Sequence, residues 1–172
     1  MLNILHGCWH FVQSQAVWRD NLHLVGISME QEEKYMLEAL REAQLAWEED
    51  EVPIGAVVVC NGKIIARAHN LTETLNDPTA HAEMQAITAA TAYLGGKYLT
   101  ECEIYVTVEP CPMCAAALSW AQVKRVIYGA PDSKRGFSLF SPSLLHPKTE
   151  VLSGILKEQC GSMVTEFFRS KR

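Results

Sequence analysis

Val106-Thr107-Val108-Glu109-Pro110-Cys111-Pro112-Met113-Cys114 decides how this chain is to be read. The run from Ile104 to Val108 is β-branched and aromatic, the composition of a strand. It leads to Pro112, which suits the first turn of a helix, and then to Ala115-Ala116-Ala117-Leu118-Ser119-Trp120. A strand-to-helix junction therefore carries Cys111 and Cys114, separated by two residues, so both sulfurs can reach one ion from a single turn of backbone. Partial positive charge at a helix N-terminus favours the thiolate form that metal binding needs.

His81-Ala82-Glu83 lies thirty positions earlier (111 − 81). Asp77-Pro78-Thr79 introduces a helix over about 80–93, ended by Gly95-Gly96, so His81 and Glu83 fall in its first turn. One imidazole and two thiolates form the nitrogen/sulfur set that zinc prefers. A structural zinc closes its shell with four ligands, whereas a catalytic zinc keeps a position for water, and three ligands are evident here. Glu83, two residues beyond His81, can face such a water without binding the ion and do general acid/base work. Each part alone is weak: Cys-x-x-Cys also occurs in redox and structural sites, and a solitary His81 reads as a hydrogen-bonded helix-terminal histidine. The combination carries the reading.

Outward from this pair, Ile54 to Cys60 and Lys63 to Ala68 flank Asn61-Gly62, the strongest two-residue hairpin signal. The near-continuous valine run predicts a strand buried on both faces. Tyr35, Met36, Leu40, Ala43, Leu45, Ala46 and Trp47 make an apolar helical stripe over 29–49, with Ser28 as its expected N-cap. Val123 to Tyr128 is a further strand, closed by Gly129; residues 131–148 form a polar loop; Val151 lies in a short strand or turn; a last helix covers about 154–169. Helices interleaved with strands indicate an α/β domain of three α-β-α layers.

Bulk properties bound the rest. A chain of 172 residues, 48% hydrophobic and 20% charged, fits one domain with a sizeable core. Its net charge of −5 argues against a broadly basic nucleic-acid coat, though not against a local basic edge. No apolar run approaches the length of a membrane span. Of six cysteines, Cys60, Cys102 and Cys160 read as small buried hydrophobes; with no secretory signal visible, a reducing cytoplasm is expected. Residues 1–28 do not match the remainder and are expected to be an over-extended reading frame or a disordered tail, with 29–172 as the functional domain. His6, Cys8 and His10 in that tail read as incidental.

With Glu51-Val52-Pro53-Ile54-Gly55-Ala56-Val57-Val58-Val59, Asn76-Asp77-Pro78-Thr79-Ala80-His81-Ala82-Glu83 and Phe167-Phe168-Arg169 set beside the cysteine stretch, Glu30 to Arg172 resembles the bacterial tRNA-specific adenosine deaminases of the cytidine/deoxycytidylate deaminase superfamily. That resemblance implies a mixed five-stranded sheet flanked by helices, a homodimer, one zinc per subunit, and inosine formation at the wobble base of a tRNA anticodon, with neighbouring subunits helping to form the RNA site. By position, His81, Cys111 and Cys114 hold zinc and Glu83 is the proton shuttle, so that activated water adds to C6 of adenine and ammonia leaves. Asn70 would hydrogen-bond the target base, and Asp132 the sugar or backbone of the splayed nucleotide. After Asp132 the chain departs from the family, in Ser133-Lys134-Arg135-Gly136-Phe137-Ser138-Leu139-Phe140 and in a shorter loop to the last helix.

Duller readings stand beside these. Asn70 reads also as a turn or cap residue, and Asp132 as an ordinary loop carboxylate. Lys134, Arg135, Arg169, Lys171 and Arg172 are phosphate contacts or a solvated surface. The same motif serves deaminases of guanine, cytidine or dCMP, and a binding module with a structural zinc is the rival from outside enzymes. Glu83 and the missing fourth ligand weigh against the last.

Overall fold

Two neighbouring left-handed residues, Asn61 (φ 50°) and Gly62 (φ 72°), turn the chain between its first two strands. This is the backbone a two-residue hairpin requires, and it pairs β1 (Gly55–Cys60) antiparallel to β2 (Lys63–His69). The computed structural model describes residues 9–140 and 143–172, with side chains from Met29 onward. The remaining strands are β3 (Cys102–Val108), β4 (Arg125–Ala130) and β5 (Glu150–Ser153). Their order is β2-β1-β3-β4-β5. β3 runs antiparallel to β1 and parallel to β4, and β4 parallel to β5, so the sheet is mixed and five-stranded as expected.

Among the described residues the α-helices are α1 (Trp9–Glu48), α2 (Ala82–Leu94), α3 (Pro112–Trp120) and α4 (Lys157–Ser170). The chain divides into two units, residues 1–34 and 35–172. The first contributes helical backbone from Trp9 onward. In the second, Ala82, Ala86 and Ala90 of α2 and Ala115 and Leu118 of α3 pack on Val58, Ile104, Val106 and Val126. Tyr35, Met36 and Ala39 of α1 and Cys160 of α4 pack on the opposite face, against Val57, Val59, Tyr105 and Ile127. Three layers result, and β1 lies buried on both faces because alternate valines enter different cores.

Several boundaries differ from expectation. Helix α1 begins at Trp9, so Ser28 lies inside it and not at its start; residues 9–27 contain no proline to stop a helix. Residues 1–8 of the expected tail, with His6 and Cys8, lie outside the described residues. Gly129 does not close β4 but sits within it. A Cβ there would lie 2.4 Å from Cys160 Sγ and 2.8 Å from the Thr107 carbonyl oxygen, so glycine is needed for α4 to approach the sheet. The last helix starts at Lys157, three residues late, because Gly154 (φ 90°) and Leu156 (φ 51°) are left-handed. Cys102 and Cys160 are buried, as read, and Cys60 is half-buried.

Candidate metal and catalytic site

His81 is the N-cap of α2 and Cys111 the N-cap of α3. Both have extended backbones (φ −71° with ψ 155° and 168°), which turn their side chains outward at the helix ends. Pro112 occupies the first helical position, as expected, and Cys114 follows one turn after Cys111. Gly95 (φ 65°) and Gly96 close α2 by donating to the carbonyls of Ala92 and Thr91, a Schellman ending.

The fold brings the two half-sites together. His81 Nδ1 lies 3.7 Å from Cys111 Sγ and 3.5 Å from Cys114 Sγ. All three candidate ligand atoms fall within 4.8 Å of one another, among the described residues the one such group. In a tetrahedral zinc shell with ordinary bond lengths, nitrogen and sulfur ligands stand about 3.6 Å apart. The donor set therefore fits zinc in type and spacing, and three protein ligands leave a fourth position for water.

Electrostatics around the ligands are uneven. The Cys111 thiol is pulled down to about 4, first by the hydrogen bond from Cys114, against burial, and further by His81. Cys114 is pushed in the opposite direction, by the same hydrogen bond and by burial. Without metal the pair thus holds one thiolate and one thiol. Contact with Cys111 raises the His81 imidazole above its usual range, against burial.

Glu83, at the second position of α2, is 3% exposed, and its carboxyl responds to the neighbouring His81, Cys111 and Cys114. Burial pushes its carboxyl up to about 7, with its own backbone N–H and His81 opposing. An acid that gives and takes protons near neutrality is suited to shuttling them.

Asn70 is 4% exposed, and its Oδ1 accepts from the Ala82 N–H at 3.0 Å. The capping reading is therefore observed, and it orients the side chain: what Asn70 can offer a substrate is its NH2, a donor. Asp132 Oδ1 accepts from the backbone N–H groups of Lys134 (2.9 Å) and Arg135 (3.0 Å), organising its own turn. Phe137 N–H donates to the Pro110 carbonyl at 3.0 Å, so this loop is attached to the segment leading into Cys111.

Glu51 and Glu109 are buried carboxyl residues to which the sequence assigned no role. Glu51, fully buried, accepts from Thr72 Oγ1 (3.0 Å) and from the N–H groups of Glu73 (2.8 Å) and Thr74 (2.7 Å). Burial pulls its carboxyl upward, but these bonds, led by that from Thr74, outweigh burial and hold it below the usual range. It fixes the loop between Asn70 and His81. Glu109 accepts from Asp132 and Ser138. The one available signal was an acid at the end of a buried strand, next to a proline.

Comparison with known proteins agrees with this geometry. Residues 29–130 match the family model of the cytidine and deoxycytidylate deaminase zinc-binding region. The tRNA-specific adenosine deaminase of Bacillus subtilis (strain 168) is 50% identical over 149 residues, covering 84% of this chain and 92% of that one. That of Agrobacterium fabrum is 46% identical over 143 residues, 80% of this chain and 94% of its own. A solved tRNA:A34 deaminase, from a study of A-to-I editing at the wobble position of transfer RNA, superposes with a TM-score of 0.72 at 44% identity, over 76% of this chain and 98% of that one. Guanine deaminase from Bacillus subtilis aligns at 42% identity and a TM-score of 0.55, over 58% of this chain and 64% of its own. The chain thus belongs to the cytidine and deoxycytidylate deaminase family of zinc-dependent hydrolases, on the branch of the tRNA-specific adenosine deaminases.

Proposed function

We propose that this protein hydrolyses adenosine to inosine at the wobble position of a tRNA anticodon. The observation that carries the chemistry is the convergence of His81, Cys111 and Cys114 within 4.8 Å of one another, with the buried carboxyl of Glu83 two residues beyond His81. His81, Cys111 and Cys114 would hold zinc, which would make bound water acidic enough to supply the nucleophile near neutral pH. Glu83 would accept a proton from the attacking water and return protons to the ring nitrogen and the departing ammonia, so adenosine and water would become inosine and ammonia. Asn70, held through Oδ1, donates from its NH2 to the base. Asp132 lies in the loop attached to Pro110 and contacts the sugar or backbone of the splayed nucleotide.

The substrate assignment is supported by the high identity to deaminases of that specificity along nearly their whole length. The protein acts as a homodimer in the cytoplasm. Support for the dimer comes from Trp120, a large apolar side chain 83% exposed at the end of α3. Among the described residues no helix is long and apolar enough to cross a membrane. The deaminase domain comprises residues 29–172, in keeping with the first residue of the family match.

A second reading, deamination of free guanine, is favoured by the likeness to the Bacillus subtilis guanine deaminase. Incubation with an adenosine-wobble tRNA, and separately with guanine and cytidine, separates the two. Inosine in the RNA is expected; turnover of only the free compounds would overturn the assignment. Glu83→Ala should keep zinc and lose turnover, and parental activity in that variant would refute the shuttle.

A further inference from the structure

Glu109 stands at the end of β3, two residues before Cys111, and is 4% exposed. Its carboxylate receives backbone donors from both limbs of one loop: Oε2 accepts from Asp132 N–H at 3.0 Å, and Oε1 from Ser138 N–H at 2.9 Å. Between those limbs the chain passes directly over the carboxylate at Gly136. A Cβ on Gly136 would lie 2.3 Å from Glu109 Cδ and 2.4 Å from each oxygen, so no larger residue fits while the acid is in place. The loop closes on itself through Gly136 N–H to the Asp132 carbonyl, at 2.9 Å. It is anchored below by the buried Phe137 ring, edge-on to Tyr128 with centroids 6.0 Å apart. Asp132, Lys134 and Arg135 are thereby presented from a frame whose central strut is one side chain of the metal-binding segment.

We propose that Glu109 is a positioning residue: it holds the Asp132–Ser138 loop at a set height over the Cys111/Cys114 half-site and so sets how the nucleotide backbone beside the target base is gripped. It touches neither substrate nor metal. This rests on the reading of that loop as part of the RNA site. Contacts to the backbone hold substrate and transition state alike, so their loss raises KM more than it lowers kcat.

Glu109→Gln tests it. The amide keeps the size but turns one arm into a donor that faces a backbone N–H, which breaks one of the two bonds and leaves that N–H unpaired. KM for an adenosine-wobble tRNA should rise about tenfold while kcat falls less than about threefold. Zinc content should stay at the parent level. Hydrogen exchange at the Asp132 and Ser138 amides should quicken, with the amides of α2 unchanged. Gly136→Ala leaves the acid intact but lifts the loop, and should give the same rise in KM. Unchanged KM and exchange in Glu109→Gln would overturn the proposal, as would loss of zinc together with a matching fall in kcat. If the wild-type protein leaves tRNA unedited, the functional reading falls by itself and the exchange rates still judge the clamp.

Discussion

Glu83→Gln should disable the enzyme and, at the same time, stabilise the metal-free fold. In the unfolded chain this carboxyl has its ordinary value of 4.5; in the fold, burial raises it to about 7. A pH unit of altered proton affinity corresponds to about 1.4 kcal/mol, so ionised Glu83 destabilises the native state by about 3 kcal/mol. The sign follows from proton uptake: between 4.5 and 7 the folded state binds more protons than the unfolded, so stability falls as pH rises through that window. Glutamine has nearly the same shape and no charge, so the variant escapes this loss. Urea denaturation of chelator-stripped protein, followed by tryptophan fluorescence, should show the glutamine variant ahead by about 3 kcal/mol at pH 8 and by about 1 kcal/mol at pH 5. Zinc should narrow the difference, because the ion's charge favours the neighbouring carboxylate. An equal gap at the two pH values, or no gap at pH 8, would refute the argument that burial sets the proton affinity of this acid.

Other outcomes follow from the same geometry. Cys111→Ala should weaken zinc binding by more than about 100-fold, since losing a ligand costs at least as much as losing a partner behind one; metal analysis after dialysis reads this directly. Zinc affinity should fall as pH drops from 8 to 6, by about tenfold per pH unit for each proton displaced. The proton on Cys114 and the raised affinity of His81 cause this, and a chelator competition showing pH-independent affinity would contradict it. Gly55→Ala would place a Cβ 2.1 Å from the Ala39 carbonyl oxygen and 2.4 Å from Ala43 N, both backbone, so α1 must shift off β1. A loss of about 2 kcal/mol in denaturant unfolding is expected, and parental stability would show that the helix moves freely there.

How much was legible before the structure differs from residue to residue. Asn61-Gly62 specified a hairpin because only a few residue types accept two successive left-handed conformations. Pro112 and Gly95-Gly96 marked the start of one helix and the end of another for equally local reasons, a missing N–H and a missing Cβ. His81, Cys111 and Cys114 stood out as a group in the sequence because metal chemistry demands particular atoms at particular spacings, and the fold brings them together. Gly129 was misread, since a glycine that ends a strand and one that lets a helix come close look alike in sequence.

By itself, then, the sequence determined most of the element types and singled out the two short motifs that carry the candidate ligands and the acid, each of which depends on residues close together in the chain. Only the tertiary structure decided how closely His81, Cys111 and Cys114 approach, that burial raises the Glu83 carboxyl to about 7, and that Glu51 and Glu109 each hold a loop. Those properties arise from distance and exclusion of water between segments remote along the chain, and no local pattern encodes either.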